Sequence, residues 1–327
     1  MSLSAIVPVW NGRDLLEKLL ATLEVQTRRP DELLVVDNGS TDGAAELARE
    51  RGARVISMGR NAGFAAAVNR GIRESRGEWV AVLNSDVELS PDYFATLAAA
   101  DAWFATGKIL RAGAAAPTID GTYDLLCRGG CAWRAGSGRP DGPLFSSARR
   151  IWSPPWTAVL FRTELFRRVG YLEESFESYL EDVDFGLRCS AAGIEGLYEP
   201  SAVAWHRGSA TLGPWHSETV RRIARNQVLL LARHYSGDVL RRCGWHIAVA
   251  QILWGLVALR HGAGLAWLRG KWQGLRRFGA LRGKYGPLDT GLTQLLRTNE
   301  HTIRELAGGR DLYWRIYFWL TSGQDAG

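Results

Sequence analysis

The hydrophobic pattern of the first hundred residues alternates between two periods. Short runs that are apolar throughout, such as Leu3–Trp10 and Leu33–Val36, are typical of strands buried on both faces. Between them, Arg13–Gln26 repeats leucine at helical spacing, which predicts an amphipathic helix. Two more strand patterns, Arg54–Met58 and Trp79–Leu83, each follow a helix pattern. This alternation predicts βα units and a mostly parallel sheet, which is an α/β fold.

Polar residues follow three of these predicted strands at the point where each strand ends. Asp37 ends the second strand, a loop with Asn61 follows the third, and Asn84-Ser85-Asp86 follows the fourth. The carboxyl ends of parallel strands meet at one edge of a sheet, where open α/β sheets bind their ligands. We therefore expect Asp37, Asn61 and Asp86 to share that edge, with Asp86 in a loop between its strand and the next helix.

Beyond this part the pattern loosens. Residues 107–156 are rich in Gly, Pro and Ser and predict a winding segment with short strands. A later predicted helix carries Glu181, Asp182 and Asp184 in its first turn, where the helix dipole keeps carboxylates ionised. An extended segment then ends in His206.

The last third of the chain has a different character. The 17-residue apolar run Cys243–Leu259 is shorter than the roughly 20 residues of a membrane span, so it predicts a buried or interfacial helix. Residues 265–284 alternate large apolar groups with Arg and Lys, which predicts a basic amphipathic helix, although its glycines weaken the helix prediction. We expect two domains, 1–210 and 211–327.

The positive charge is concentrated in this last third. The 327 residues carry a net charge of +6, but Arg207–Lys284 holds fourteen Lys and Arg against two acidic residues, and the remainder is net negative. Basic character confined to one region indicates an anionic surface partner there, such as a membrane surface contacted through 207–284, and excludes a nucleic-acid groove across the whole protein.

The cysteines and the N-terminus indicate a cellular compartment. Four scattered cysteines do not form a disulfide framework or a zinc motif, so free thiols in a reducing cytosol are expected. The chain enters a strand pattern directly, without the pattern of a signal peptide. We expect a cytoplasmic protein, peripheral at the inner face of the cell membrane.

Four of the polar residues suit sugar transfer from a nucleotide-diphosphate donor. Asp37 can accept the N3–H of a pyrimidine base. Asp86 can bind Mg²⁺ or Mn²⁺, which take one or two protein ligands beside phosphate oxygens, and a nitrogen ligand from His206 would favour Mn²⁺. Asp182 can take the proton of the acceptor hydroxyl as a general base. The first-turn neighbours of Asp182 are alternative bases.

Read as a whole, the chain resembles the family 2 glycosyltransferases over about residues 3–210, and it is most similar to their rhamnosyltransferase-like branch, whose members build cell-surface polysaccharides. The resemblance implies a GT-A fold, here with a basic, Trp-rich helical extension at the C-terminus. It rests on five motifs in order, followed by His206: IVPVWN at 6–11, VVDNGSTDG at 35–43, NAGFAAAVNRG at 61–71, LNSDVELSPD at 83–92 and YLEDVDFGLRC at 179–189.

The resemblance also implies roles for single residues. Asp37 would lie at the base, Asp86 would be the metal carboxylate with His206 near the metal, and Asp182 would be the base in a single displacement with inversion. Within the same motifs, Pro8, Asn61 and Asn84 are expected to line the donor site. Asn84 stands where the family motif has its first carboxylate, which leaves fewer negative ligands for a metal.

The sequence therefore predicts an inverting, metal-dependent glycosyltransferase. Its donor would be a UDP- or dTDP-linked sugar, with dTDP-rhamnose as one candidate, and its acceptor a saccharide or lipid-linked saccharide. The alternative is a non-catalytic subunit that binds a nucleotide sugar or polysaccharide, which the Asn84 position favours. A nucleotidyltransferase is disfavoured because the sequence has no Gly-rich, Lys-bearing triphosphate loop.

Overall fold

Two units make up the chain. The computed structural model describes residues 1–208, 213, 215–284, 291–307, 309 and 311–324. The first unit comprises Met1–Tyr123 and Gly136–Thr211, and the second comprises Asp124–Ala135 and Leu212–Gly327. The expected domain boundary at residue 210 lies outside the described residues, and the sequence did not indicate that 124–135 belongs with the C-terminal helices.

The first half of the first unit has the predicted βα order. Its elements are β1 (Leu3–Val9), α1 (Arg13–Glu24), β2 (Glu32–Asp37), α2 (Ala44–Glu50), β3 (Arg54–Ser57), α3 (Phe64–Glu74) and β4 (Trp79–Leu83). These strands pair in parallel in the order β3-β2-β1-β4. Ile6, Val35 and Val82 are fully buried, which explains why the strands read as apolar throughout.

The sheet continues into a mixed half. The following elements of the first unit are β5 (Val87–Leu89), α4 (Tyr93–Ala98), β6 (Phe104–Arg111), β7 (Ile119–Gly121), β10 (Arg149–Ile151), β11 (Ala158–Arg162), α5 (Glu164–Val169), α6 (Glu181–Ala191) and β12 (Gly196–His206). Strands β8 (Asp124–Leu126) and β9 (Ala132–Arg134), which follow β7 along the chain, belong to the second unit. The full order is β10-β12-β6-β11-β4-β1-β2-β3, with β5 beside β12 and β7 beside β6. Strands β6 and β12 are parallel, whereas β11 is antiparallel to both of its neighbours. The parallel order of the sequence prediction thus holds for β1 to β4, and the added strands make the sheet mixed.

A short strand separates Asp86 from the next helix. Val87 and Leu89 are buried while Glu88 between them is half-buried, so the segment alternates as a strand does, and β5 pairs antiparallel with β12. Asp86 therefore lies in a turn between two strands, not in the strand-to-helix loop that the sequence predicted. Helix α4 begins only at Tyr93.

The regular elements described in the second unit are helices and the β8–β9 hairpin. Its helices are α7 (Ser217–His234), α8 (Gly237–Arg242), α9 (Gly244–Arg260), α10 (Gly264–Lys284), α11 (Leu292–Ala307) and α12 (Leu312–Thr321). Two of the glycines of α10, Gly270 and Gly274, allow a close approach to α7. A Cβ atom on Gly274 would lie 2.7 Å from Cβ of Val228 and 2.8 Å from the carbonyl oxygen of Arg225. Packing thus compensates for the low helix propensity of glycine.

Two further observations concern the cysteines and the apolar helices. All four cysteines are free thiols and buried. Among the helices of the described ranges, none combines the length and apolar character that crossing a bilayer requires.

Candidate active site

A histidine held between two carboxylates lies at the edge of the sheet. His206 Nε2 is 3.1 Å from Oδ1 of Asp86, and His206 Nδ1 is 2.8 Å from Oδ2 of Asp120. The side chains of His206, Asp86 and Asp120 are 10%, 15% and 18% exposed. The three groups form a small, largely buried cluster that still reaches the surface.

Strand pairing brings these residues together from distant parts of the chain. His206 is the partner of Val87 in the β12–β5 ladder, and the N–H of Arg207 donates to the carbonyl oxygen of Asp86 at 3.1 Å. On its other side β12 pairs with β6, which in turn pairs with β7, where Asp120 lies. The position of each side chain is therefore set by the register of the sheet.

The two carboxylates determine the charge of the imidazole. Burial alone would lower the pKa of His206, but the hydrogen bonds to Asp120 and Asp86 outweigh it and raise the pKa to about 9. An imidazole between two acceptors holds a proton at neutral pH. A cation that binds Nε2 must displace that proton, so its binding releases a proton to solvent.

The end of β2 forms a second polar group on the same edge. The buried Asp37 accepts the N–H of Ser40 through Oδ1 at 2.8 Å. The side-chain amide of Asn38 donates a hydrogen bond from Nδ2 to Oδ1 of Asn61 at 3.1 Å. Its Oδ1 accepts a hydrogen bond from the N–H of Ala62 at 2.9 Å. The structure thus ties the Asn61 loop to the strand end that carries Asp37, as expected for two neighbouring strands.

The other two residues expected at the donor site belong to the central strands. Pro8 lies in β1 opposite Val36 of β2. Asn84 directly follows β4, and its N–H donates to the carbonyl oxygen of Thr157 at 2.8 Å. Because β1 lies between β2 and β4, the ends of these two strands are about 10 Å apart, which is two inter-strand spacings.

Asp182 is the second residue of α6. It is 9% exposed, and its Oδ1 accepts the N–H of Val183 at 2.8 Å. The hydroxyl of Ser153 donates to the carbonyl oxygen of Asp182 at 3.3 Å. These two hydrogen bonds join Asp182 to the first turn of α6 and to Ser153. Thr157 lies four residues after Ser153, and its carbonyl oxygen accepts a hydrogen bond from the N–H of Asn84. The segment from Ser153 to Thr157 therefore connects the start of α6 to the turn that carries Asp86.

The loop before α6 has an unusual backbone. Glu177, Tyr179 and Leu180 have φ angles of 61°, 73° and 67°, in the left-handed region that non-glycine residues seldom adopt. The carbonyl oxygen of Glu177 accepts the N–H of Ala65 at 3.0 Å, which ties this loop to the first turn of α3. Strained backbone of this kind persists where the surroundings fix it, and it concentrates at functional sites.

The structure separates Asp182 from Asp184, one of the two alternative candidates for the general base. Asp184 is fully buried and forms an ion pair with Arg188, whose Nη2 lies 3.1 Å away. Arg188 also donates to the carbonyl oxygen of Tyr171 at 2.8 Å. Asp184 therefore holds α6 in place. Glu181 is 6% exposed at the same helix end as Asp182, so it stays an alternative.

The cluster at His206 fits a divalent cation with two protein ligands. Oδ1 of Asp86 and Nε2 of His206 are spaced as two ligands of one ion would be, and Asp120 would fix the imidazole from behind. Among the described residues, no group of three or more His, Cys, Asp or Glu is arranged to hold a metal. A site of two ligands suits Mg²⁺ or Mn²⁺, which complete their coordination with water and phosphate oxygens.

Comparison with known sequences identifies the family. The model of glycosyl transferase family 2 matches residues 4–103. An N-acetylglucosaminyl-diphospho-decaprenol L-rhamnosyltransferase of Mycobacterium tuberculosis is 32% identical over 278 residues, which cover 75% of this chain and 87% of the relative. The chain belongs to the family 2 glycosyltransferases.

Solved structures agree with this glycosyltransferase fold. GalNAc-T7, solved with UDP, GalNAc and Mn²⁺, has a TM-score of 0.59 at 14% identity over 78% of this chain. The chain spans about half, 51%, of that protein. The mannosyltransferase PcManGT from Pyrobaculum calidifontis, in complex with GDP-Man and Mn²⁺, has a TM-score of 0.50 at 16% identity, covering 98% of this chain and 84% of its own. The GT-A fold is therefore confirmed, and the chain is a glycosyltransferase enzyme, not a non-catalytic binding subunit.

Sequence reasoning missed Asp120 of this glycosyltransferase. The residue lies in the short strand β7, within the segment rich in Gly, Pro and Ser, and no motif surrounds it. Only the pairing of β7 with β6 brings it to His206. Its Oδ1 is also 3.8 Å from Nε of Arg111.

Proposed function

We propose that this glycosyltransferase moves a sugar from a nucleotide-diphosphate sugar to a saccharide or lipid-linked saccharide, with inversion at the anomeric carbon. The proposed donor is UDP- or dTDP-linked, and dTDP-rhamnose is the favoured candidate because the mycobacterial relative is named an L-rhamnosyltransferase. The observation that carries the proposal is the contact between Asp86 and His206 at the ligand-binding edge of the sheet.

The nucleotide would bind at the end of β2. Asp37 is held by the N–H of Ser40 through one oxygen, and its carboxylate has a second oxygen that can accept the N3–H of a pyrimidine. The amide pair Asn38–Asn61 fixes the neighbouring loop, so the base would meet a preorganised surface. The separation of about 10 Å between the ends of β2 and β4 would leave room for a ribose and a diphosphate.

The diphosphate would lie beside Asp86 and His206. A divalent cation held by these two residues would neutralise the charge of the leaving diphosphate. Asp120 accepts from Nδ1 of His206 and so directs Nε2 toward Asp86. Asn84, in place of a carboxylate, contributes no charge there, so within this turn only Asp86 would offer the cation a charged ligand.

Asp182 would act as the general base. It lies in the first turn of α6, where the helix dipole favours a negative charge, and the N–H of Val183 orients it. Asp182 would take the proton of the acceptor hydroxyl while that oxygen attacks the anomeric carbon. The nucleotide diphosphate leaves from the opposite face, so a single displacement inverts the configuration.

The acceptor would be met at the cytoplasmic face of the cell membrane. The name of the mycobacterial relative includes a decaprenol-linked acceptor, which is a lipid. The basic region 207–284 would bring the protein to that surface through its positive charge.

An Asp182→Asn variant tests the mechanism. Transfer should fall by about 10²–10⁴-fold because the amide cannot accept the proton. Donor binding, measured by calorimetry, should stay within a few-fold of the wild-type value. Asp14→Asn is the matched control, since Asp14 is also a first-turn aspartate but is 91% exposed on α1. Full transfer activity in Asp182→Asn would remove Asp182 from the mechanism.

A further inference from the structure

Helix α9 presents large apolar side chains to the outside. Ile252, Leu256 and Leu259 are 58%, 55% and 64% exposed. Their spacing of four and three residues places them on one stripe of the helix, where a helix of a protein surrounded by water usually has polar groups.

Helix α10 has a second stripe of the same kind. Leu265, Leu268 and Trp272 are 70%, 54% and 58% exposed, and they too follow helical spacing. The side of α10 that carries Gly274 lies against α7. The stripe is therefore not the packing surface of the helix, although its residues are as apolar as a packing surface would be.

The two stripes lie on neighbouring helices. A Cβ on Gly255 of α9 would be 2.8 Å from the indole of Trp267 of α10, and a Cβ on Gly264 would be 3.0 Å from Cδ1 of Leu259. We call Ile252, Leu256, Leu259, Leu265, Leu268 and Trp272 the apolar face. An apolar surface that extends over two helices marks an interaction site.

Charge indicates what this face binds. Residues 244–284, which form both helices, contain seven Lys and Arg and no Asp or Glu. The guanidinium of Arg276 lies 4.5 Å from the ring centre of Trp272, and Arg260 and Arg269 are exposed beside the stripes. Apolar groups flanked only by positive charge suit the boundary between headgroups and acyl chains in an anionic bilayer.

A second copy of the chain fits this face less well. In a symmetric dimer the same patch would meet itself, so the arginines of both copies would face each other without an acidic residue from α9 or α10. Like charges placed opposite each other weaken association. An anionic lipid surface offers the opposite charge over the same area.

We propose that the apolar face docks on the surface of a bilayer containing anionic lipid. Leu256, Leu259 and Trp272 enter the headgroup region, and the arginines contact lipid phosphates. The docking identifies the helices that would hold the enzyme at the membrane. It rests on the proposed function only for the lipid-linked nature of the acceptor. It places the enzyme on the surface that holds such an acceptor.

Vesicle sedimentation of the full chain tests the docking. The protein should sediment with vesicles of phosphatidylcholine and phosphatidylglycerol, and less with phosphatidylcholine alone or at high salt. The double variant Leu256→Glu/Trp272→Glu should lose at least about tenfold in vesicle affinity, because both side chains would carry charge into the interface. Leu144→Glu is the matched control, since Leu144 is 67% exposed and belongs to the first unit, not to α9 or α10.

Several results would overturn the proposal. One is equal vesicle binding by the double variant and the control, and another is equal binding to neutral and anionic vesicles. A third is self-association of the wild type without lipid that the double variant abolishes, which would make the face a dimer interface. If the double variant fails to fold by circular dichroism, Trp272→Ala replaces it and should also weaken vesicle binding. Loss of transfer with vesicle binding intact would count against the proposed function and not against the docking.

Discussion

The two units of the chain place polar and apolar groups in opposite ways. In the first unit, apolar strands form the interior, and Asp37, Asp86 and His206 lie where those strands end. In the second unit, an ion pair between Arg128 and Glu300 is buried, while leucines and tryptophans of its helices are exposed.

Two buried charged groups of the second unit, Glu300 and Lys271, have hydrogen-bond partners within that unit. Arg128 donates to Glu300 from both its side chain, at 2.7 Å, and its backbone N–H, at 2.9 Å, and Tyr317 donates to the same carboxylate. The ammonium of Lys271 donates to the side-chain oxygens of Gln227 and Gln251, and burial lowers its pKa to about 8. These buried charges hold the second unit together, whereas we propose that the charges of Asp86 and His206 in the first unit serve to bind a ligand.

Removing Glu300 should have the largest effect on stability. Glu300→Ala leaves Arg128 as a buried charge without its carboxylate, so the free energy of unfolding of the second unit should fall by about 3–5 kcal/mol. Urea unfolding followed by tryptophan fluorescence measures the loss. The control is Glu164→Ala, because Glu164 pairs with Arg168 at the surface, where both side chains are more than half exposed. That variant should change stability by less than about 1 kcal/mol, and an equal loss in both variants would refute the contrast.

Removing Asp120 should change cation binding in the first unit. Asp120→Ala leaves Nδ1 of His206 without its carboxylate, so Mn²⁺ affinity in calorimetry should fall by about 10–100-fold. Asp120→Asn should recover part of the affinity, because its amide oxygen can still accept the Nδ1–H. A change in melting temperature without a change in Mn²⁺ affinity would show that Asp120 only supports the fold.

A pair of glycines in one helix gives the smallest expected effect and a test of packing. Gly274→Ala would press a methyl group against α7 and should destabilise the second unit by about 1–3 kcal/mol. A Cβ on Gly279 meets nothing within 4 Å, so Gly279→Ala should raise stability by about 0.5–1 kcal/mol. Thermal unfolding of both variants measures the difference, and the same sign in both would contradict the proposed packing of α10 on α7.

The sequence predicted the elements whose pattern is local. Strands β1 to β4 are continuous apolar runs because both of their faces are buried, and Asp37 and Asp86 follow from where those runs end. The contact between Asp86 and His206 joins the fourth sequence motif to the histidine that follows the fifth, although 120 positions separate the two residues.

Features that depend on distant pairing could not be predicted in this way. Strand β5 is three residues long, and only its ladder with β12 reveals it. Asp120 reaches His206 through two ladders in a segment without a motif. The glycines of α10 count against a helix by propensity, and only the close approach to α7 explains why the helix persists through Gly274.

The Mn²⁺ dependence of nucleotide binding shows whether Asp86 and His206 form the donor site at the sheet edge. Calorimetric titration of UDP and dTDP should show binding that requires Mn²⁺ in the wild type and in the control Asp101→Ala, whose carboxylate is fully exposed. Asp86→Ala should lose at least about tenfold in this affinity, because the ion would lose its carboxylate ligand. Nucleotide affinity that is independent of Mn²⁺, or equal in Asp86→Ala and the wild type, would contradict a donor site built on Asp86 and His206.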